Sequence, residues 1–375
     1  MGVPLFLALR EIRAARGRFL LMGLVVMLVA ALVGIVSGFT TGLGNDTVSA
    51  LRALPATHVA FATGAKSDQF NRSLVDEATV ARWRQRPGVE ATPLGVTIAR
   101  GTTDRGAEID MAAFGVEPGT FAAPPARRGT GLDAARPGLV VSGKLASDGV
   151  RVGDTVTVDR LGLKLPVTGI TDDVSYGHVP AVYMPLDTWR AIRFGVPGAR
   201  TAPGELPREA SGVALRAGAG ADLPAADRAL GTLTLPMSKV LEAAPGYQGE
   251  RVTMTSIQVF LYLIAPLVVG AFFAVWTVQR APELALLRAI GASRRRLLSY
   301  TVLQAALVVV AGTVAGGALA LATGLLLGAA VPFSLPAGTL AATLAAVALV
   351  GLAGTCLTLR RVTTPDPLTM LGAAR

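Results

Sequence analysis

Apolar and polar residues fall into long blocks along this 375-residue chain. Residues 19–45 carry no charge over 27 positions, residues 252–279 none over 28, and residues 297–359 none over 63. A membrane-spanning helix needs about 20 apolar residues, so the first two blocks each hold one span. The third holds two, because VPFSLPAG (residues 331–338) sets Pro332 and Pro336 where a tight turn would join helices. The pattern predicts four transmembrane helices, at residues 19–41, 253–279, 297–329 and 337–359. Along the first and just past its end, Gly34, Gly38 and Gly42 repeat at the four-residue spacing that lets two helices approach closely. Pro266, mid-way along the second, removes a backbone hydrogen bond and predicts a kink.

Residues 42–252 have a different texture. Short runs rich in β-branched residues, bounded by turn formers, predict strands at residues 92–99, 108–116, 139–142, 155–159, 164–170, 181–184 and 213–216. Helical spacing predicts helices at residues 77–86, with Trp83 as apolar anchor, at residues 186–194, with Trp189 and Ile192 inward, and at residues 225–241. Mixed strands and helices make this an α+β domain. The fold class is therefore membrane α-helical, four transmembrane helices, with a large extracytoplasmic α+β domain between helices 1 and 2.

Charge supplies the orientation. Outside residues 41–251 there are twelve Lys and Arg against three acids, Glu11, Glu283 and Asp366. Nearly all of the chain's net charge of +10 thus flanks the apolar blocks. Cytoplasmic flanks carry the excess of Lys and Arg, so the N-terminus (1–18), the connector 280–296 and the C-terminal tail (360–375) are expected in the cytosol and residues 42–252 outside. The high pI of about 10.5 is then a topology signal, and nucleic acid is not the expected partner. The arginines before residue 19 could suggest a secretory signal, but the apolar core outruns an h-region of about 7–15 residues and no clear cleavage site follows. An uncleaved anchor is expected, preceded by an interfacial helix at residues 1–18 lying on membrane lipid. The single cysteine, Cys356, falls in the fourth block, so burial rather than disulfides must hold the α+β domain.

The connector reads RAPELALLRAIGASRRR, five arginines against one glutamate. Leu284, Leu287 and Ile290 recur at helical spacing, Gly291 suits a helix end, and Arg294–Arg296 precede the next span. A short basic amphipathic helix of this kind is built to lie on a lipid surface or a partner protein. Motifs for hydrolytic or metal chemistry (H-E-x-x-H, C-x-x-C, G-x-S-x-G) do not occur, nor does the phosphate-cradling G-x-x-x-x-G-K-[ST]. No ionisable residue lies within a predicted span, which argues against an ion-coupled carrier. Any transport by this chain needs another energy source.

The connector and the start of the third span resemble the FtsX/MacB-type permeases of type VII ABC transporters, in which an acid, LLRAIGAS and a basic run recur; here they are Glu283, residues 286–293 and Arg294–Arg296. The tail RRVTTPDPLTMLG, together with LVVSGKLASDGVRVGDTVTV and PAVYMPLDTW at residues 139–158 and 180–189, is similar to the same family. The resemblance implies a permease homodimer seated on a separate ABC ATPase that binds the ATP and magnesium. It implies that the connector couples the two, through Glu283, Leu287, Arg288, Arg294 and Arg295, with Gly291 as the bend. FLALREIRAARGRF and VSYGHVPAVYMPL resemble the haem-exporter and DevC-like branch, which implies haem as substrate. Haem iron takes Tyr, His or Met ligands, so Tyr176, His178, Met254 and Tyr262, with Phe39, are the candidate substrate residues. Ordinary roles stay open for each: Tyr262 suits an interfacial aromatic belt, His178 a solvated loop, Met254 simple packing. The alternative within the family is a mechanotransmitting permease acting on lipid, lipoprotein, drug or an outer partner protein.

Overall fold

The computed structural model describes residues 16–65, 68–133, 135, 137–197, 206–279, 282, 286, 293–328 and 331–362. The chain divides into two compact units, residues 43–251 and residues 1–42 with 252–375. In chain order the elements begin with helix α1 (Arg16–Ala53), strand β1 (His58–Ala62), α2 (Gln69–Arg72), β2 (Val75–Asp76), α3 (Glu77–Arg84), β3 (Val89–Thr103) and β4 (Glu108–Val116). They continue with β5 (Arg128–Gly129), β6 (Leu139–Val141), α4 (Gly143–Ser147), β7 (Thr155–Val158), β8 (Leu163–Ile170), β9 (Ser175–Tyr176), β10 (Val179–Pro185) and α5 (Leu186–Phe194). Then come β11 (Glu209–Ala210), β12 (Gly212–Ala217), α6 (Leu223–Leu230), β13 (Thr232–Pro236), α7 (Met237–Val240), α8 (Tyr247–Gln279), α9 (Arg294–Leu327) and α10 (Ala337–Val362).

The 43–251 unit is built on one mixed sheet ordered β13-β1-β12-β3-β4-β10-β6-β8-β5. The β4–β10 and β6–β8 pairs are parallel, and the other pairs along this path are antiparallel. Strand β4 shows why the sheet is covered on both faces. Its Ala112 and Phe114 join one apolar cluster with Val48 and Leu51 of α1, while Met111 and Ala113 join a second with Leu139, Val141 and Trp189. Alternate side chains of a strand point to opposite faces, so a run such as MAAF serves two cores at once.

Two expectations are corrected here. The stretch 225–241 is not one helix: α6 stops at Leu230, Gly231 takes a left-handed φ of 64°, and Thr232–Pro236 forms strand β13. The TLTLP alternation, paired with β1 from His58 to Ala62, outweighs the helical spacing. The first helix also does not stop at residue 41, the expected end of its span: α1 runs on unbroken to Ala53 and buries Val48 and Leu51 fully. At about 1.5 Å per residue, its 38 residues measure about 57 Å.

Among the described residues, three helices are long and apolar enough to cross a membrane: α1, α8 and α9 from Ser299 onward; Ala337–Leu349 of α10 is a shorter apolar stretch. Their outward faces are leucine-rich, with Leu20, Leu263 and Leu325 exposed. Inward, small residues set the spacing. A Cβ on Gly34 would stand 2.8 Å from Ala320 Cβ, and one on Gly316 would stand 2.5 Å from the Met27 carbonyl oxygen. Gly38 and Gly42 abut Phe333 and Pro332 in the non-helical 331–336 link. The glycine stripe of α1 is therefore consumed inside the chain. Helix α8 remains helical from Tyr247 through position 266 to Gln279.

Candidate functional site

The coupling residues Glu283, Leu287, Arg288 and Gly291 lie outside the described residues, as does the interfacial segment 1–15. Arg294 and Arg295 open helix α9 behind the extended Ser293 (φ −68°, ψ 143°).

The candidate substrate residues are divided between the two units. Tyr176 is buried in the core of the 43–251 unit, its ring edge-on to Phe70 and to Phe114 at 5.8 Å each. Burial, and then the nearby charge of Asp68, push its phenol far up from the ordinary tyrosine value. A phenol so buried is closed to a haem iron, against the expectation of Tyr176 as a substrate residue. Phe39, Met254 and Tyr262 belong to the other unit. Phe39 meets Phe333 edge-on at 5.4 Å, Thr40 Oγ1 lies 3.9 Å from the Met254 sulfur, and the Tyr262 hydroxyl donates to Thr343 Oγ1 at 3.4 Å. All three are partly buried. Met254 and Phe39 thus sit at one end of the α1–α8 pair, while Phe19 and Trp276 pack at 5.7 Å at the other.

His178 is the centre of a polar cluster that sequence reasoning found only in part. It occupies the second position of a two-residue hairpin turn between β9 and β10, with Gly177 at φ 59° and His178 at φ 64°. Such a turn requires two left-handed residues, and its twist matches that of the paired strands. Gly accepts the conformation freely; for His it costs about 1 kcal/mol. The turn is docked on α1, where the Gly177 N–H donates to the Thr47 carbonyl at 2.9 Å and the Ser175 N–H to Ser49 Oγ at 2.7 Å. This docking carries the imidazole between two carboxylates. His178 Nδ1 lies 3.3 Å from Asp46 Oδ2 and Nε2 lies 2.8 Å from Glu250 Oε1. Glu250 Oε2 accepts from Thr47 Oγ1 at 3.0 Å, and Lys144 Nζ pairs with Asp46 Oδ1.

Partial burial would lower the basicity of His178, but the hydrogen bond and charge of Glu250, then those of Asp46, outweigh it and raise its pKa above the ordinary 6.5. For Asp46, burial raises the pKa, and the bonds and charge of Lys144 with the bond to His178 bring it below the ordinary value. Asp46, Lys144 and Glu250 were not singled out from the sequence. A signal existed: Asp46 is the first charged residue after one uncharged block, and Glu250–Arg251 are the last before the next. Among the described residues, no three His, Cys, Asp or Glu side chains are grouped to hold a metal ion.

Comparison with known proteins places both halves of the chain. Residues 19–233, more than half of its length, match the MacB-like periplasmic core domain, and residues 255–367 match the FtsX-like permease C-terminal domain. A Staphylococcus haemolyticus protein that carries the name hemin transport system permease protein HrtB is 23% identical over 98% of this chain and 99% of its own. An uncharacterized ABC transporter permease of Mycobacterium tuberculosis is 27% identical over the same shares. The periplasmic region of MacB from Actinobacillus actinomycetemcomitans aligns with 51% of this chain and 93% of its own at 11% identity and a TM-score of 0.37. The chain belongs to the FtsX/MacB-type permeases of ABC transporters.

Proposed function

We propose that this chain is the permease subunit of an ABC-type exporter, four-spanning, with residues 42–252 outside the membrane, working as a homodimer on a separate ATPase. The observation that carries the reading is the end-to-end similarity to permeases of ABC transporters, over 98% of this chain. The exposed apolar faces of α1, α8 and α9 support the membrane placement. ATP and magnesium belong to the partner, and the connector, through Glu283, Leu287, Arg288, Gly291, Arg294 and Arg295, passes its stroke to the spans. Replacing Glu283 and Arg288 together by alanine is expected to abolish substrate-stimulated ATP hydrolysis by the complex while both subunits still co-purify. Unchanged stimulation would remove the connector from the mechanism.

The substrate is an amphipathic molecule, and haem is our first choice, on the strength of the hemin-transport name carried by the Staphylococcus relative. Of the five residues expected to serve it, the geometry favours three. Tyr176 is sealed in the core, and both ring nitrogens of His178 face carboxylates. Met254 and Tyr262 bear the thioether and phenol that haem iron accepts, and Phe39 offers an aromatic wall near Met254. Titrating the permease in nanodiscs with haemin should give a saturable, stoichiometric Soret shift, weakened about fivefold or more in Met254→Leu or Tyr262→Phe. A partition curve matching empty nanodiscs would exclude haem and leave the permease reading standing.

One observation favours the mechanical alternative. Helices α1 and α8 run unbroken past the residues at which the two units divide, which suits stiff rods passing ATPase strokes outward. ATP-dependent stimulation of an outer partner protein's activity by the same complex, with no export of haem, would decide for it.

A further inference from the structure

The cluster around His178 has a logic separate from any substrate. Three elements distant in sequence meet there: the later part of α1 through Asp46 and Thr47, the β9–β10 turn through His178, and the first turn of α8 through Glu250. A neutral imidazole has one N–H and one lone pair. Whichever nitrogen holds the proton, a neutral His178 would aim a lone pair at a carboxylate oxygen, either Asp46 Oδ2 at 3.3 Å or Glu250 Oε1 at 2.8 Å. Only the doubly protonated ring donates to both, and bonds between charged partners are the strong ones. The turn holds the ring there at the expense of a left-handed backbone at His178.

We propose that His178 is a proton-operated latch, fastening the start of α8 to α1 when doubly protonated and loosening that contact when one proton is lost to water. The proton leaves from Nδ1, the more weakly held of the two. Once it is gone, Asp46 keeps Lys144 and Glu250 keeps the Thr47 hydroxyl, so each carboxylate retains a partner; the Asp46–His178 bond is lost, and the Thr47–Glu250 bond stays as the pH-independent link between α1 and α8. That makes the change local and reversible. The charged groups facing the ring are Asp46 from α1 and Glu250 from α8, with Lys144 of α4 behind Asp46; Tyr176 on the hairpin itself is turned into the core. The sign follows from the raised pKa of His178. The latch is fully closed below the ordinary histidine value of about 6.5 and opens as the pH rises through the higher value of the folded state. A permease with this latch would hold its outer helix ends together more firmly at acid pH than at alkaline pH, whatever it carries.

Two readouts on the full chain in nanodiscs test this. The chain has two histidines, His58 and His178, so ring-labelled histidine gives two NMR titrations, assigned with His58→Gln. His178 should titrate above the ordinary histidine value of about 6.5 in the parent and fall by at least half a pH unit in Glu250→Gln. Amide hydrogen exchange over residues 246–254, corrected for the intrinsic effect of pH, should lose about threefold or more of its protection from pH 6 to pH 9. His178→Asn keeps the left-handed turn, which Asn tolerates, and should show the low protection at both pH values. A His178 that titrates at the same pH in the parent and in Glu250→Gln, or parental protection that is flat with pH, overturns the latch. Glu250→Gln and the parent carry the test even if His178→Asn fails to fold.

Discussion

At the scale of single residues, the 43–251 unit depends on where side chains are missing as much as on where they are. Gly95 and Gly115 are direct partners across β3 and β4, and both lie under the indole of Trp189. A Cβ on Gly95 would stand 2.3 Å from Trp189 Cδ2, and one on Gly115 would stand 2.4 Å from Trp189 Cβ. The two glycines make a flat floor for a fully buried ring. Gly115→Ala should therefore destabilise the chain by about 1–3 kcal/mol through overpacking, read as a lower unfolding midpoint in detergent; an unchanged midpoint would show that the indole has room to shift. Tyr176→Phe makes the opposite case. The Tyr176 hydroxyl is buried without a hydrogen-bond partner among the described residues, and such a group costs about 1–3 kcal/mol to desolvate. The Phe variant should unfold at the same or a higher temperature and bind haemin like the parent. Trp189 was legible in the sequence as the inward residue of a short helix, but its glycine floor was not. A glycine within a strand signals close approach without naming what approaches. Tyr176 was misread for a related reason: YGHV announces a turn, and a turn announces solvent, yet the residue just before the turn still belongs to the sheet and points into its core.

At the scale of elements, the edge strand β13 shows what patterning omits. Its outer side is closed by one carboxylate: Asp227 accepts from the Thr234 N–H at 2.9 Å and from the hydroxyls of Thr232 and Thr234 at 2.7 Å each. An unpaired edge invites pairing with another chain, and Asp227 occupies the backbone donor that such pairing would use. Asp227→Ala should lose about 2 kcal/mol and raise light scattering on mild heating. A variant that stays as stable and as monodisperse as the parent would deny Asp227 this role. The strand was hidden from sequence reading because Asp227 and Gly231 do their work over three to seven residues, turning the chain back, while helical spacing over residues 225–241 averages across the break. Where turn formers close an element, as Pro118–Gly119 do just after Glu108–Val116 and Pro185 and Gly195 do around Leu186–Phe194, the sequence bounds coincide with the elements found.

At the scale of the whole molecule, the uncharged blocks were the most legible feature, because absence of charge over 27 residues or more needs no knowledge of neighbours. They do not say where a helix stops. NDTVSALRA (residues 45–53) is polar enough to read as the start of a new domain, and it is the continuation of α1. The orientation drawn from charge makes a direct prediction. In a Cys356→Ser background, Asp104→Cys should react with an impermeant maleimide on intact cells, and Ser293→Cys only after permeabilisation. The reverse pattern would invert the topology. The unbroken course of α1 also sets an angular phase between its two ends. One residue inserted after Gly44 turns everything beyond it, Asp46, Thr47 and His178 together, by about 100° against the helix before it. Seven inserted residues lengthen the rod by about 10.5 Å and return the phase to within about 20°. A permease that survives the seven-residue insertion and fails with one would be reading rotation through this helix, while one that survives neither would be reading length.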